Sequence, residues 1–386
     1  MLKDEAVEPH PTDVLRPAPR IGIVGAGFMG GVHARAARTA GARIAAVVAS
    51  SAPRLDAAVA AVGAESGYVD LDRMLERSDI DVVHVCVPNA LHVEVAMRAI
   101  QAGKHVIVEK PLATSARDAA LLTAAAERAG IIAAVPFVYR FHPMVREMRE
   151  RVLRGDAGQI GLVHGSYLQD WLAGAGEYNW RVDRSSGGPS RTFADIGSHW
   201  FDLLEFVSGS RVARLSARMR TVAGHRLSPE HGRLAIDTED TVTVQFETEA
   251  GVIGTFCGSQ VARGRKNRLA LEISGSAESF AFDQERAEHL WVGDAEGHRV
   301  IVRDPKTLSG AAARYATLPS GHAQGYQECF NAFVGDTYAA VAGRTPDGLP
   351  SFEDGSRSAT IVEAVLDSVD SSGAWIELPT GRKVAA

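Results

Sequence analysis

The sequence predicts two architectures in one chain: a parallel, doubly wound α/β domain over residues 20–140, then an α+β domain with an open, mainly antiparallel sheet over residues 141–386. Three observations carry this reading. Apolar strand-like runs alternate with helical stretches as far as Arg140. After Arg140 strand-like runs follow one another through hairpin-length links. The length, 386 residues, exceeds what one hydrophobic core ordinarily organises.

The elements follow in order. Residues 1–19 are rich in proline and acidic residues, lack the apolar stretch of a signal peptide, and read as a mobile tail. Runs at 21–25, 43–49, 82–87, 105–109 and 132–138 read as strands, with helices at 29–40, 53–62, 90–101 and 115–128 between them. That βαβα rhythm predicts a parallel sheet covered on both faces. A helix over 142–154 buries Met144, Val145, Met148, Val152 and Leu153 along one side, until "GDAGQIG" ends it. Strands at 162–171, 212–222, 239–249, 251–262, 267–275 and 278–283 then build the antiparallel sheet through turns such as "TEAG" and "SGSAES". A helix at 198–208 interrupts them, and a last helix at 356–370 packs back near the first domain.

Composition narrows the function. The chain is 46% hydrophobic and 23% charged, with a net charge of −6, which argues against nucleic acid as the main partner. No apolar run reaches the roughly 18 residues needed to cross a bilayer, so no membrane partner is expected. Cys86, Cys257 and Cys329 lie far apart without a CxxC pair, and read as buried, reduced thiols of a cytoplasmic protein.

The densest signal is "RIGIVGAGFMGG" from Arg20. Gly25, Gly27 and Gly30 form G-x-G-x-x-G between a strand and the helix from Met29, and Phe28 and Met29 join the glycines as cofactor-binding candidates. The glycines allow a tight turn, a close approach of pyrophosphate to bare backbone, and close helix–strand packing, while the helix N-terminus offers free N–H groups. A dinucleotide site is predicted. At the end of the next strand, "VVASSAPR" places Ser50, Ser51 and Arg54 where an NAD site usually carries a carboxylate. Two hydroxyls and a guanidinium suit a 2′-phosphate, so NADP(H) is favoured and NAD(H) remains open.

"VEKPLA", with "GIVGAGFMGGVHA", "VPNALHVEVA", "ADIGSHWFDLLEFVSG" and "FEDGSRSATIVEAVLDS", resembles the Gfo/Idh/MocA family of sugar and polyol dehydrogenases from Arg20 to about Leu378. Within it, "YLQDW", "DIGSH" and "RGRKNRLALEISG" look most like the levoglucosan-dehydrogenase-like members. The resemblance implies a Rossmann domain, an open antiparallel sheet, and homodimers or homotetramers built on that sheet. It also implies hydride transfer between a sugar or cyclic polyol and the cofactor.

Carried onto this sequence, it assigns catalysis to Lys110 of "EKP" and to Asp195 and His199 of "DIGSH". Pro88, Asn89 and His92 would border the nicotinamide end, with Glu109 and Lys110 at the next strand end. His199 suits a general base by type, and Asp195 lies four residues earlier, placed to orient it or to bind substrate. Lys110 is placed to donate to the reacting oxygen or to accept the proton itself, and the sequence leaves Lys110 and His199 both open. Asp195 also fits a plain helix N-cap. A zinc site of His199 with Asp202 or Glu205 lacks any supporting Cys/His spacing, so no metal is expected.

The second domain should supply the substrate wall. Strand alternation puts Tyr167, Gln169 and Trp171 on one face, an aromatic and carboxamide surface suited to a sugar. Tyr139 and Arg140 stand at the domain junction, where clefts form, with Tyr139 a further candidate for substrate binding. His322 lies on a glycine-bounded loop resembling a family segment that reaches the active site. Trp180 and Arg181 would line the entrance or an oligomer contact. Two other readings compete: an enzyme with tightly bound cofactor performing internal redox, as in epimerisation or glycoside cleavage, and a non-catalytic cofactor sensor. Lys110, Asp195 and His199 together count against the sensor, which needs none of them.

Overall fold

The structure is a computed structural model and describes residues 18–174, 176–228 and 232–379. The expected tail therefore lies outside the described residues, apart from its last two.

The first sheet contains β1 (Arg20–Val24), β2 (Arg43–Val48), β3 (Gly67–Tyr68), β4 (Val82–Val85), β5 (His105–Val108) and β6 (Ala133–Ala134), all parallel, in the order β3-β2-β1-β4-β5-β6. Successive residues of β1, β2 and β4 are buried, as both faces are covered by α1 (Phe28–Thr39), α2 (Leu55–Val62), α3 (Leu71–Leu75), α4 (His92–Gln101) and α5 (Ala116–Ala129). Because β2 and β4 flank β1 on opposite sides, the strand order reverses there and opens a crevice at the strands' carboxyl ends.

Two corrections apply to this half. The short pair β3 and α3 carries too few residues to show a period. The expected strand 132–138 shrinks to two residues, because Pro136 has no N–H for the ladder and the Val135 N–H turns to the Pro350 carbonyl.

The second half runs through α6 (Pro143–Arg154), β7 (Ile160–Leu168), the short turn α7 (Arg184–Gly187) and α8 (Ser198–Ser208). Then come β8 (Val212–Arg220), β9 (His225–Ser228), β10 (Gly232–Ala235), β11 (Thr241–Thr248) and β12 (Ile253–Ser259). They are followed by β13 (Arg268–Gly275), β14 (Ser279–Asp283), β15 (His289–Asp294) and β16 (Gly297–Val302). The chain closes with α9 (Gly310–Ala313), α10 (Tyr326–Val341), α11 (Phe352–Asp370) and β17 (Ile376–Glu377). Nine of these strands form one sheet in the order β16-β15-β14-β13-β7-β12-β11-β8-β17, antiparallel throughout except where β7 meets β12.

Alternation along these strands decides which face is core. Val242, Val244, Phe246, Phe256, Leu269 and Leu271 point inward and share a core with Trp200, Phe201, Leu203 and Leu204 of α8. Thr243, Gln245, Ile253, Thr255 and Cys257 point outward and are exposed. The expected buried thiol is thus corrected for Cys257, whose strand position faces the open side.

Both closing helices return to the first sheet. The expected return of the last helix is observed as α11 against α5. The helix α10 was not anticipated. It lays Phe330, Phe333, Val334 and Tyr338 in one cluster with Val32, Ala36 and Ala37 of α1. The strand pairs β9–β10 and β15–β16 were also missed; β10 and β16, exposed along most of their length, show little apolar alternation.

Candidate active site

A cavity of about 1090 Å³ occupies the crevice. Its floor is the glycine loop. Gly25 has φ +96°, and a Cβ there would sit 2.6 Å from the Cys86 carbonyl oxygen. A Cβ on Gly30 would come 2.2 Å from the Gly25 carbonyl, so that glycine lets α1 seat against the turn. A Cβ on Gly27 would enter open space, so glycine there keeps the cavity floor bare. The N-cap of α1 is this Gly27, with no side chain over the helix end and no acidic residue in the first turn. Free N–H groups and the positive helix end suit a pyrophosphate. The residues present fit the dinucleotide the sequence predicts.

Along the cavity lie Phe28, Met29, Ser50 and Arg54, then Pro88, Asn89, His92 and Glu109. Trp180 and Arg181 reach it from the second domain and line it. Ser51 does not line it, so of the expected 2′-phosphate group only Ser50 and Arg54 are placed to act. His92 lines the cavity but its ring is committed elsewhere: Nδ1 lies 2.7 Å from the Pro111 carbonyl and Nε2 3.0 Å from that of Val87. It ties the segment after β4 to the turn that carries Lys110. Asn89 donates from Nδ2 to the Gly187 carbonyl at 2.9 Å, which ties the two domains.

Beside Arg181 of this cavity, one π-helical turn, Phe193–Gly197, runs straight into α8. Such turns are rare and recur at functional sites. Its start is capped by Glu239, whose carboxylate accepts from the N–H groups of Arg191 and Phe193 and from the Ser190 hydroxyl. The N-cap role considered for Asp195 therefore belongs to Glu239, and the Asp195 side chain is free for other partners.

Those partners converge. Lys110 Nζ donates to Asp195 Oδ1 at 2.5 Å and to the Asp195 carbonyl at 2.9 Å. Gln260, fully buried, donates from Nε2 to Asp195 Oδ2 at 2.7 Å. Arg181 adds a longer contact, 3.5 Å from Oδ1. Burial opposes ionisation of Asp195, but Lys110 and then Arg181 outweigh it and hold the carboxyl well below its usual range. His199, one turn on, packs edge-on against Phe137 and Tyr139, and its Nδ1 is buried without a partner. Burial, reinforced by Lys110, holds this imidazole well below its ordinary pKa, so it is neutral. Asp202 and Glu205, the carboxylates weighed for zinc, are engaged by Arg140 and by Arg357. Arg140 also reaches Asp354 of α11, so this expected cleft residue is a clamp across the junction.

The residues expected as a substrate wall are brought together, though not along one strand. β7 ends at Leu168, yet the polar atoms still link. The Tyr139 hydroxyl bonds that of Tyr167, which donates to Asn267 Oδ1 at 2.8 Å. Gln169 Nε2 donates to the same oxygen at 2.7 Å, and Trp171 Nε1 to Gln169 Oε1 at 2.8 Å. His322 is exposed, and its loop is held by Arg303 donating to the His322 carbonyl. It joins neither group. In its place the next helix brings Tyr326, whose ring lies beside Tyr139 and whose hydroxyl is 3.9 Å from Met29 Sδ.

Gln260, Asn267, Glu239 and Tyr326 are thus the site residues sequence reasoning missed. Gln260 and Asn267 stand in the connection between β12 and β13, where a polar residue just past a half-buried strand was the available signal.

Comparison with known proteins matches these features. The profile of an oxidoreductase family with NAD-binding Rossmann fold fits residues 19–137, and that of the GFO/IDH/MocA C-terminal domain fits residues 145–281. Levoglucosan dehydrogenase of Pseudarthrobacter phenanthrenivorans is 29% identical, over 93% of this chain and 98% of its own. The crystal structure of an oxidoreductase domain protein from Kribbella flavida is 33% identical with TM-score 0.88, over 95% of this chain and 100% of the other. A levoglucosan dehydrogenase solved with NADH and levoglucosan is 28% identical with TM-score 0.87, over 94% and 99%.

Proposed function

The chain belongs to the Gfo/Idh/MocA family of NAD-binding oxidoreductases, and from that membership we propose that it moves a hydride between nicotinamide and a secondary alcohol of a small sugar or cyclic polyol. The observation that carries the reading is the meeting of Lys110, Asp195 and neutral His199 beside the dinucleotide cavity. Bound nicotinamide supplies the hydride acceptor, or the donor in reverse. Lys110, an ammonium fixed by Asp195, has a further N–H to give the reacting oxygen and supports its developing negative charge. His199, with Nδ1 unpartnered one turn from Asp195, is proposed as the proton acceptor in oxidation, against the lowered basicity that burial and Lys110 impose on it. Gln260 keeps Asp195 aimed at Lys110. Tyr167, Asn267, Gln169 and Trp171 offer several hydroxyl-binding atoms beside aromatic surface, the pattern a sugar ring needs.

NAD(H) is the cofactor proposed. The expected preference for NADP(H) rested on three residues, of which Ser51 lies off the cavity, and the relative solved with cofactor holds NADH. The open face of the nine-stranded sheet, with exposed Ile253, Thr255 and Cys257 on β12 beside the central strand β7, is proposed as the contact of a homodimer or homotetramer, to be checked by light scattering. Among the described residues no helix is long and apolar enough to cross a membrane.

The test is a panel of sugars, anhydrosugars and inositols, scored by nicotinamide absorbance with NAD and with NADP. Turnover of at least one with NAD is expected. A protein that binds NADH yet oxidises none of them overturns the substrate class.

A further inference from the structure

Behind the cavity wall stands a file of buried polar side chains that proton transfer does not use. Glu109, which lines the cavity, accepts at Oε1 from His33 Nε2 at 2.9 Å. No other hydrogen bond engages this carboxylate among the described residues, so its second oxygen is left to the cavity side. His33 Nδ1 meets His84 Nδ1 at 3.0 Å, and His84 Nε2 meets the Tyr338 hydroxyl at 3.0 Å. Both histidines are fully buried.

Proton counting restricts this file. Two facing Nδ1 atoms share one proton, and an ionised Glu109 only accepts. If His84 supplied that proton, His33 would be neutral and Glu109 would lie nearly buried without this counter-charge, which is unfavourable. If His33 supplies it, His33 is a cation against Glu109, and neutral His84 keeps its proton on Nε2 toward Tyr338. The electrostatics favour the second arrangement. Burial opposes the His33 cation, but the Cys86 sulfur and the Glu109 carboxylate outweigh it and push the imidazole up to about 10. Burial, with His33 adding to it, holds His84 well below its ordinary range.

We propose that the His33–Glu109 ion pair sets the balance between oxidised and reduced dinucleotide, the carboxylate favouring the positively charged oxidised nicotinamide. The pair is ordered for this: Glu109 is at the cavity and His33 behind it on α1, so a ligand meets the negative end first. Glu109 also neighbours Lys110 and His92, and Tyr326 of α10 faces it, while Cys86 and His84 face His33. A neutral ring gains little from the carboxylate, and a charged ring gains a direct attraction in a cavity of low dielectric. Glu109 is then a positioning charge for cofactor state, distinct from the proton-transfer residues beside it.

The inference rests on the dinucleotide reading of the cavity, and its test separates the two. Dissociation constants for NAD⁺ and NADH are measured on wild type, Glu109→Gln and His33→Gln by fluorescence titration, without substrate, with thermal unfolding recorded for each. Glu109→Gln keeps the shape and removes the charge. It is expected to weaken NAD⁺ about tenfold and NADH less than about twofold. His33→Gln strips the counter-charge, so Glu109 holds its proton more tightly. Its preference for NAD⁺ is expected to fall as pH drops from about 8 to about 6, while that of wild type stays level. Equal weakening of both forms in a folded Glu109→Gln protein, or a pH-independent ratio in His33→Gln, overturns the inference and leaves the cofactor reading standing. Wild type binding neither form overturns both.

Discussion

Lys110 Nζ lies 2.5 Å from Asp195 Oδ1, joining the end of a Rossmann strand to a helix of the second domain 85 positions away. The contact fixes the domains at the point where chemistry is expected. Lys110→Met and Asp195→Asn should each lower turnover by about 100-fold or more, the scale of a lost acid–base or charge-stabilising group. The NADH dissociation constant should change only a few-fold, because Gly25 to Gly30 hold the pyrophosphate. Turnover near wild type in either variant would remove these residues from the reaction.

Gln260 gives a separate handle on the same carboxylate. Its Nε2 holds Asp195 Oδ2 at 2.7 Å from a fully buried position. Gln260→Leu keeps most of the volume and removes the donor. Turnover should fall about tenfold, with the substrate KM little changed, as Asp195 loses the bond that aims it at Lys110. A drop in KM-limited rate alone would place Gln260 on the substrate instead.

The contrast between Lys110 and Gln260 shows what the sequence made legible. The parallel sheet was readable because both-face burial writes uninterrupted apolar runs, and glycine at 25, 27 and 30 declares a backbone that must stay bare. Lys110, Asp195 and His199 were readable because they sit in fixed local motifs. Gln260, Asn267 and Glu239 reach the site only through the pairing of β12, β11 and β7, and no local pattern encodes that pairing. The helix α10 escaped for a related reason. Its buried face, Phe330, Phe333, Val334 and Tyr338, answers to α1 some 300 residues earlier, and Gly335 interrupts its helical signal. The N-cap reading of Asp195 failed because the true cap, Glu239, comes from a distant strand end.

Cofactor choice can be moved at Ser50. This residue lines the cavity just past β2, where no carboxylate stands. Ser50→Asp would accept hydrogen bonds from the ribose hydroxyls of NAD and repel a 2′-phosphate. The ratio of kcat/KM for NAD over NADP should rise by about 10-fold to 100-fold, measured on any substrate the panel yields. An unchanged ratio would mean that the adenosine ribose lies elsewhere in the cavity.

The last prediction concerns acid stability and rests on His142. Its ring is buried, stacked on Tyr139 and tilted against Phe282, with Nε2 lacking any partner. Burial lowers its pKa to about 4, and the attraction of Glu288 does not offset this. The unfolded chain should titrate it near 6.5. Above about pH 6.5 the ring is neutral in both states and its protonation has no effect. As pH falls from about 6.5 to about 4, the unfolded chain binds a proton that the folded protein does not, and folding weakens by about 1.36 kcal/mol per unit, about 3 kcal/mol in all. His84, His92 and His199 are also depressed and act in the same direction. His33, raised to about 10, acts in the opposite sense: its contribution is complete below about pH 6.5 and is lost as pH climbs toward 10. His142→Phe keeps the ring contacts and deletes the titration. Urea unfolding of wild type and variant at about pH 7 and about pH 4.5 isolates the term, because the remaining acid-labile groups cancel in the difference. The variant should lose about 2–3 kcal/mol less than wild type over that interval. If both lose the same amount, His142 is not buried as a neutral ring.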